Sequence, residues 1–259
     1  MRMMKKVLGT VTVLALSVSL LAGCGSTAAS PVSSAASTAA ESTTSSVVSE
    51  TTSAAADENA AAAEQLLNDL TGSYQELWPV ILADEYKQTW LDDCTALVGE
   101  DNAEAAFEKL SSMVTGDVYG EDAVKAYANG GGAYFCGFTN DLATLTFDGE
   151  TSTISGTDKD GNVLFSHTYH YIGMEPVHGL YEFESDDADS GEFTYFFLAP
   201  DTSAETYHIE FRYGSDADAL SQYDAGDYAY WVASGISTDC DQTMIDNCIE
   251  LFCTENLAG

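Results

Sequence analysis

The pattern of apolar and polar residues divides the chain into a helical first part and a strand-rich second part. In the first part apolar residues recur every three or four positions, a spacing that predicts amphipathic helices. Such runs cover residues 57–70, 84–98, 102–113 and 122–127. Three consecutive glycines at 130–132 end this part, because glycine is unfavourable within a helix.

Beyond the glycines the apolar period changes to two residues, which is typical of strands. Strands are expected at 133–138, 142–147, 152–155 and 163–171. The aspartate-rich segment 158–162 has its glycine at the fourth place and no glutamate at the twelfth place of a calcium loop. We therefore interpret it as a plain hairpin turn.

A second hairpin is expected between Phe193 and Gly214, with its turn at residues 199–203. Side chains alternate along its second strand, so one face is apolar and the other is polar. The apolar face carries Tyr207, Ile209, Phe211 and Tyr213, and the polar face carries Thr206, His208, Glu210 and Arg212. A polar face with histidine and glutamate two residues apart is either a hydrated surface or the lining of a site.

This hairpin resembles that of the ZinT (YodA) family, whose pattern is an aromatic strand, D-H-x-I-A-P, a short loop, H-F-H-I and a glycine. Here YFFLAP at 195–200, TYHI at 206–209 and Gly214 fit this frame with one extra loop residue. Weaker matches follow the family's order at 141–149, 169–173, 181–184 and 227–237. Members are small calycin-type, lipocalin-like barrels that bind zinc or cadmium outside the cytoplasm.

The resemblance implies an α+β fold, with N-terminal helices packed on a small antiparallel calycin-like β-barrel and a C-terminal helix. From the sequence, Ser237 or Thr238 would cap this last helix. Its buried stripe would comprise Ile245, Cys248, Ile249 and Phe252.

The resemblance also implies a metal site, but with changed residues. The family's three histidine ligands fall on Phe196, Thr206 and His208, so one of them is retained. On the polar face Glu210 is a candidate oxygen ligand beside His208, and zinc accepts both ligand types. The alternative is that His208 and Glu210 form a hydrogen-bonded pair lining the barrel mouth.

The other three histidines are weaker candidates. His167 and His170 are three residues apart in a strand, so they face opposite sides and cannot both serve one interior site. His178 lies in a turn, where an exposed imidazole is expected.

The N-terminal sequence predicts that the protein is exported from the cytoplasm. Residues 1–23 have a basic start and an apolar core, and Leu21-Ala22-Gly23-Cys24 forms a lipobox, so we expect a lipoprotein signal peptide and acylation of Cys24. An ordinary secretory signal is the alternative. Residues 24–56 read as a flexible Ser/Thr/Ala-rich linker and residues 57–259 as the ZinT-like domain. The expected location is the outer face of the cell membrane.

The net charge of the chain limits the classes of molecule that it is expected to bind. The chain has 8 basic and 42 acidic residues, and removal of the signal leaves a formal charge near −37. Such a surface repels nucleic acid and attracts cations.

Five cysteines would remain after Cys24, an odd number, and their spacing leaves the pairing open. They are Cys94, Cys136, Cys240, Cys248 and Cys253.

Together these features predict a lipid-anchored, extracytoplasmic protein that binds a divalent metal such as zinc, and the resemblance adds delivery to a zinc ABC importer. The motifs of serine hydrolases, nucleotide-binding loops and HExxH metalloproteases do not occur, so an enzyme is not expected. The alternative is a degenerate calycin barrel without metal that binds a small apolar ligand or a protein partner. Phenylalanine at position 196 favours this alternative, because burial would replace coordination there.

Overall fold

The computed structural model describes residues 58–114, 116, 118–200 and 208–257. The predicted signal peptide, Cys24, the predicted linker and Thr206 lie outside the described residues. Within them the chain forms a closed antiparallel barrel of eight strands with helices before and after it, so the expected fold class is confirmed.

Each strand of the barrel pairs with its neighbour in the sequence, and the last strand pairs with the first. The strands are β1 (Gly72–Glu76), β2 (Thr144–Asp148), β3 (Thr153–Thr157), β4 (Val163–Met174), β5 (Tyr181–Ser185), β6 (Tyr195–Leu198), β7 (His208–Gly214) and β8 (Ala233–Ser237). Closure leaves no open edge on which another chain could add a strand.

Helices precede the barrel, connect β1 to β2 and β7 to β8, and follow β8. They are α1 (residues 58–69), α2 (Leu77–Ile81), α3 (Lys87–Val98), α4 (Glu100–Met113), α5 (Glu121–Ala128), α6 (Ala217–Leu220) and α7 (Gln242–Leu257), with 3₁₀ turns at Asp84–Tyr86 and Gly191–Phe193. The four helical runs of the sequence are confirmed. No helix in the described part of the chain is long and apolar enough to cross a bilayer.

Aromatic side chains fill the interior of the barrel. Phe196 is fully buried, and its ring centroid lies 5.4 Å from those of both Tyr169 and Tyr213. Phe147, Phe183, Phe211 and Trp231 belong to the same buried cluster. The interior is therefore a packed core, in contrast to barrels that enclose a ligand.

A second core lies between the outer face of the barrel and the helices α2, α3, α4 and α7. Trp90 is fully buried there and donates from Nε1 to the carbonyl oxygen of Ile81 over 2.7 Å. Ile236 contributes to this core from the outer face of β8. In this layer α7 packs against α2, α3 and α4, and α2 packs against β8.

Two local predictions are wrong. Residues 133–138 form a single bridge, between Phe135 and Trp231, because the amide of Phe138 is bound by the carboxylate of Glu76 over 2.6 Å instead of by a strand. The last helix is capped by Asp241, which accepts from the amide of Met244 over 3.0 Å. Ser237, the expected cap, lies in β8 and Thr238 directly follows it.

Candidate metal centre

Pairing of β7 with its two neighbours determines where its polar face points. Phe196 on β6 lies opposite Tyr213, and both rings are inside the barrel. His208 and Glu210 have the other orientation, because they pair with Ile236 and Ser234 of β8. The polar face of β7 therefore faces outward, toward α2 and α7, and does not line the barrel mouth as the sequence suggested.

His208 and Glu210 line a cavity of about 40 Å³ between the barrel and two helices. Its other walls are Leu77, Trp78 and Ile81 of α2 and Cys248, Leu251, Phe252 and Glu255 of α7. A water molecule needs about 10–15 Å³ of such space, so the cavity has room for an ion with a few waters. The proposed ligands thus lie at one cavity, and their role as ligands remains a prediction.

Imidazole, carboxylate and thiolate are the groups that zinc accepts in proteins, and all three types occur around this cavity. Cys248 is 5% exposed, whereas Glu255 lies in the exposed last turn of α7. Among the residues described, no three histidine, cysteine, aspartate or glutamate side chains stand close enough to form a ready metal-binding group. A bound ion would need α7 or the side chains to adjust.

Glu210 contributes to the raised pKa of a buried thiol, that of Cys136. Burial, with Glu210 as the second cause, raises the pKa of the Cys136 thiol to about 12. Cys136 is 7% exposed, and the amide of Ser234 donates to its carbonyl oxygen over 3.0 Å. The carboxylate of Glu210 therefore lies close to a buried thiol on the outer face of β7, and in its ionised form it would attract a cation there.

Two of the positions implied by the family resemblance cannot act together. Phe196 is inside the barrel and His208 is outside it, so the side chains project from opposite faces of the hairpin. The third position, Thr206, lies outside the described residues. A histidine trio of the family type is therefore not formed around His208 by these positions.

The remaining histidines pair with acidic groups away from the cavity. Nδ1 of His167 lies 2.8 Å from Asp187, and Nδ1 of His170 lies 2.8 Å from Asp186. His167 shares the inner face of β4 with Tyr169, so the prediction that the two histidines face opposite sides is confirmed. His178 is half-buried against the Tyr223 ring at 3.7 Å, which corrects the expectation of an exposed imidazole.

Arg212, a member of the same polar face, is fully buried, which the sequence did not indicate. Its guanidinium donates to the carbonyl oxygens of Leu220, Gln222 and Tyr228 and lies 4.2 Å from the centroid of the Tyr223 ring. Burial lowers its pKa. The segment around α6 therefore closes the outer face of β7 beside Arg212 and leaves the cavity at the His208 end.

Comparisons with known proteins found weak structural similarity and no sequence match. No family model matches the chain, and no curated protein matches it. The Zn(II)-bound ZinT-like domain of AdcA from Streptococcus pneumoniae is similar at 15% identity with a TM-score of 0.45, over 71% of this chain and 89% of that domain. Zn(II)-bound AdcA from the same organism is similar at 14% identity with a TM-score of 0.42, over 72% of this chain and 35% of that protein.

Proposed function

We propose that this protein binds a divalent metal ion of the zinc type outside the cytoplasm, at the cavity between β7 and α7. One observation carries the proposal: His208 and Glu210 of β7 line the same small cavity as Cys248 and Glu255 of α7. The sequence resemblance of the hairpin, with His208 at a ligand position, supports the choice of zinc.

The chemistry of the cavity suits a cation held by few protein ligands. A neutral imidazole nitrogen of His208 and a carboxylate oxygen of Glu210 would bind first, with Glu255 and water completing the coordination. Because a ligand histidine must be neutral, binding would weaken as the solution becomes acidic. A site with two or three protein ligands binds more weakly than a closed structural site, which suits an ion that is later released.

Anchoring and delivery belong to the same proposal. Acylation of Cys24 would hold the domain at the outer face of the membrane, and the linker 24–56 would give it reach. The strongly acidic surface, near −37 after signal removal, would raise the local concentration of cations. A zinc ABC importer in the same membrane is the partner to which the ion would pass.

Calorimetric titration of zinc into the mature chain with Cys24→Ser tests the binding step. We expect one binding event at micromolar concentration that His208→Ala weakens about tenfold or more, a loss of about 1.4 kcal/mol. His170→Ala is the matched control, since His170 is exposed on β4 and should leave binding unchanged. Absence of binding by the parent chain would reject the proposal.

The alternative of a metal-free barrel with a small apolar ligand gains no support from the interior. The rings of Phe196, Phe211 and Tyr213 pack against one another where a lipocalin-type ligand would lie. Metal analysis of the purified protein separates the two functions, because stoichiometric zinc without an organic ligand supports the first.

A further inference from the structure

Two cysteines far apart in the sequence meet in the outer core. Cys94 of α3 and Cys253 of α7 are separated by 159 positions, yet their Sγ atoms lie 3.9 Å apart. Both residues are 0% exposed. In the described part of the chain none of the five cysteines is linked in a disulfide.

We infer that Cys94 and Cys253 form a disulfide when the protein folds outside the cytoplasm, and that this bond fastens α7 to α3. The inference rests on the proposed extracytoplasmic location, where oxidising conditions allow disulfides to form and persist. A small approach of α3 and α7 with side-chain rotation would bring the two sulfurs to bonding distance.

The reaction is thiol–disulfide exchange with a disulfide-bearing oxidant such as an extracytoplasmic thiol oxidoreductase. The two thiols of Cys94 and Cys253 lose two protons and two electrons, and an S–S bond forms between them. The oxidant's disulfide takes up the electrons and protons and is split into two thiols. The exchange leaves Cys136, Cys240 and Cys248 as thiols.

Burial of the Cys94 and Cys253 thiols determines when the disulfide can form. Removal from water raises the pKa of both thiols, so little of the reactive thiolate exists once the helices have docked. The bond would therefore form during folding, while α3 and α7 are still accessible.

The position of the bond connects it to the candidate metal centre. Cys253 follows Phe252, which lines the cavity and packs edge-on against Trp78 and Trp90 at ring-centroid distances of 4.8 and 5.9 Å. Fixing α7 at Cys253 would hold the cavity wall made by Cys248 and Glu255 at a constant distance from His208.

Refolding in a glutathione redox buffer tests the inference. The mature chain with Cys24→Ser is unfolded under reducing conditions, refolded with reduced and oxidised glutathione, then denatured and alkylated with N-ethylmaleimide. We expect three alkyl groups per chain by mass, with Cys94 and Cys253 in one linked peptide after proteolysis. Five alkyl groups, or a link between another pair, would overturn the inference.

Variants and melting curves provide a second readout. The refolded oxidised protein should melt about 5–10 °C higher than the same sample treated with dithiothreitol. Cys248→Ala, a buried cysteine on the same helix, should keep this difference, whereas Cys94→Ala and Cys253→Ala should lose it. If the oxidised and the dithiothreitol-treated parent protein melt at the same temperature and the oxidised protein carries five alkyl groups, the inference is overturned. This outcome needs no variant, so it holds even where a variant fails to fold. Since neither readout involves zinc, failure here is distinguishable from failure of the proposed function.

Discussion

His208 and Glu255 face one cavity from two different elements, the first residue of β7 and the last turn of α7. The strand is fixed by pairing on both sides, whereas the helix is held by packing against α2 and α3. Any ion bound between them would thus join the C-terminal helix to the barrel. Its affinity should depend on residues of both elements.

Neutralising either carboxylate should weaken zinc binding. We expect Glu210→Gln to lower the affinity about tenfold, and Glu255→Gln to lower it less, because Glu255 is exposed and its oxygen competes with water. Zinc titration calorimetry at constant ionic strength measures both effects. Glu250→Gln is the control, as this exposed residue also lies on α7 and does not line the cavity. An equal loss in all three variants would indicate a general effect of surface charge.

Restoring the histidine that the family resemblance implies at position 196 should not restore a site. Phe196→His would place an imidazole among packed rings on the opposite face from His208. We expect a loss of about 3–4 kcal/mol in unfolding free energy and no gain in zinc affinity. Urea unfolding and zinc titration of the same sample measure the two quantities. Tighter zinc binding by Phe196→His would show that both positions reach one site.

The hairpin also shows what the sequence could and could not predict. The alternation of apolar and polar residues correctly predicted that Ile209, Phe211 and Tyr213 lie on one face of β7 and that His208 and Glu210 lie on the other. It could not tell which set faces the barrel interior, because both faces of β7 are covered, one by the core and one by helices and the α6 segment. Only the pairing with β6 and β8 resolves this.

The apolar pattern did not predict three strands, β1, β5 and β8, and it missed two of them for related physical reasons. In β1 only Tyr74 is buried, so there is no alternation to detect. In β8 four consecutive residues are buried on both faces, which also removes the period of two. Helices α1, α3 and α4 were predictable because each buries a single stripe at helical spacing.

Replacement of Arg212 should destabilise the barrel even when the positive charge is kept. We expect Arg212→Lys to lower the unfolding free energy by about 2–4 kcal/mol, because an ammonium group cannot serve three carbonyl oxygens in the geometry of the guanidinium fork. Urea unfolding monitored by circular dichroism gives the value. Lys109→Ala, at an exposed position of α4, should change stability by no more than about 0.5 kcal/mol. A neutral Arg212→Lys would mean that these carbonyl groups find other donors.

Stability should decrease in alkaline solution, partly through Cys136. Its pKa is about 12 in the folded protein and near 9.0 ordinarily. Between these values the unfolded chain has lost the proton and the folded chain retains it, so the unfolding free energy falls as pH rises. Cys136→Ala should make this slope shallower by about 1.4 kcal/mol per pH unit. Unfolding free energies of both proteins from pH 8 to 11 provide the test, and identical slopes would contradict the assigned pKa.

The position of a bound ion is the most direct test of the metal-binding proposal. Crystals of the mature chain with Cys24→Ser, soaked in zinc, would be measured on both sides of the zinc absorption edge. We predict an anomalous peak in the cavity between β7 and α7, about 2.0–2.1 Å from a ring nitrogen of His208 and next to a carboxylate oxygen of Glu210. A peak confined to the His167–Asp187 or His170–Asp186 pairs, or no peak in fully soaked crystals, would contradict it.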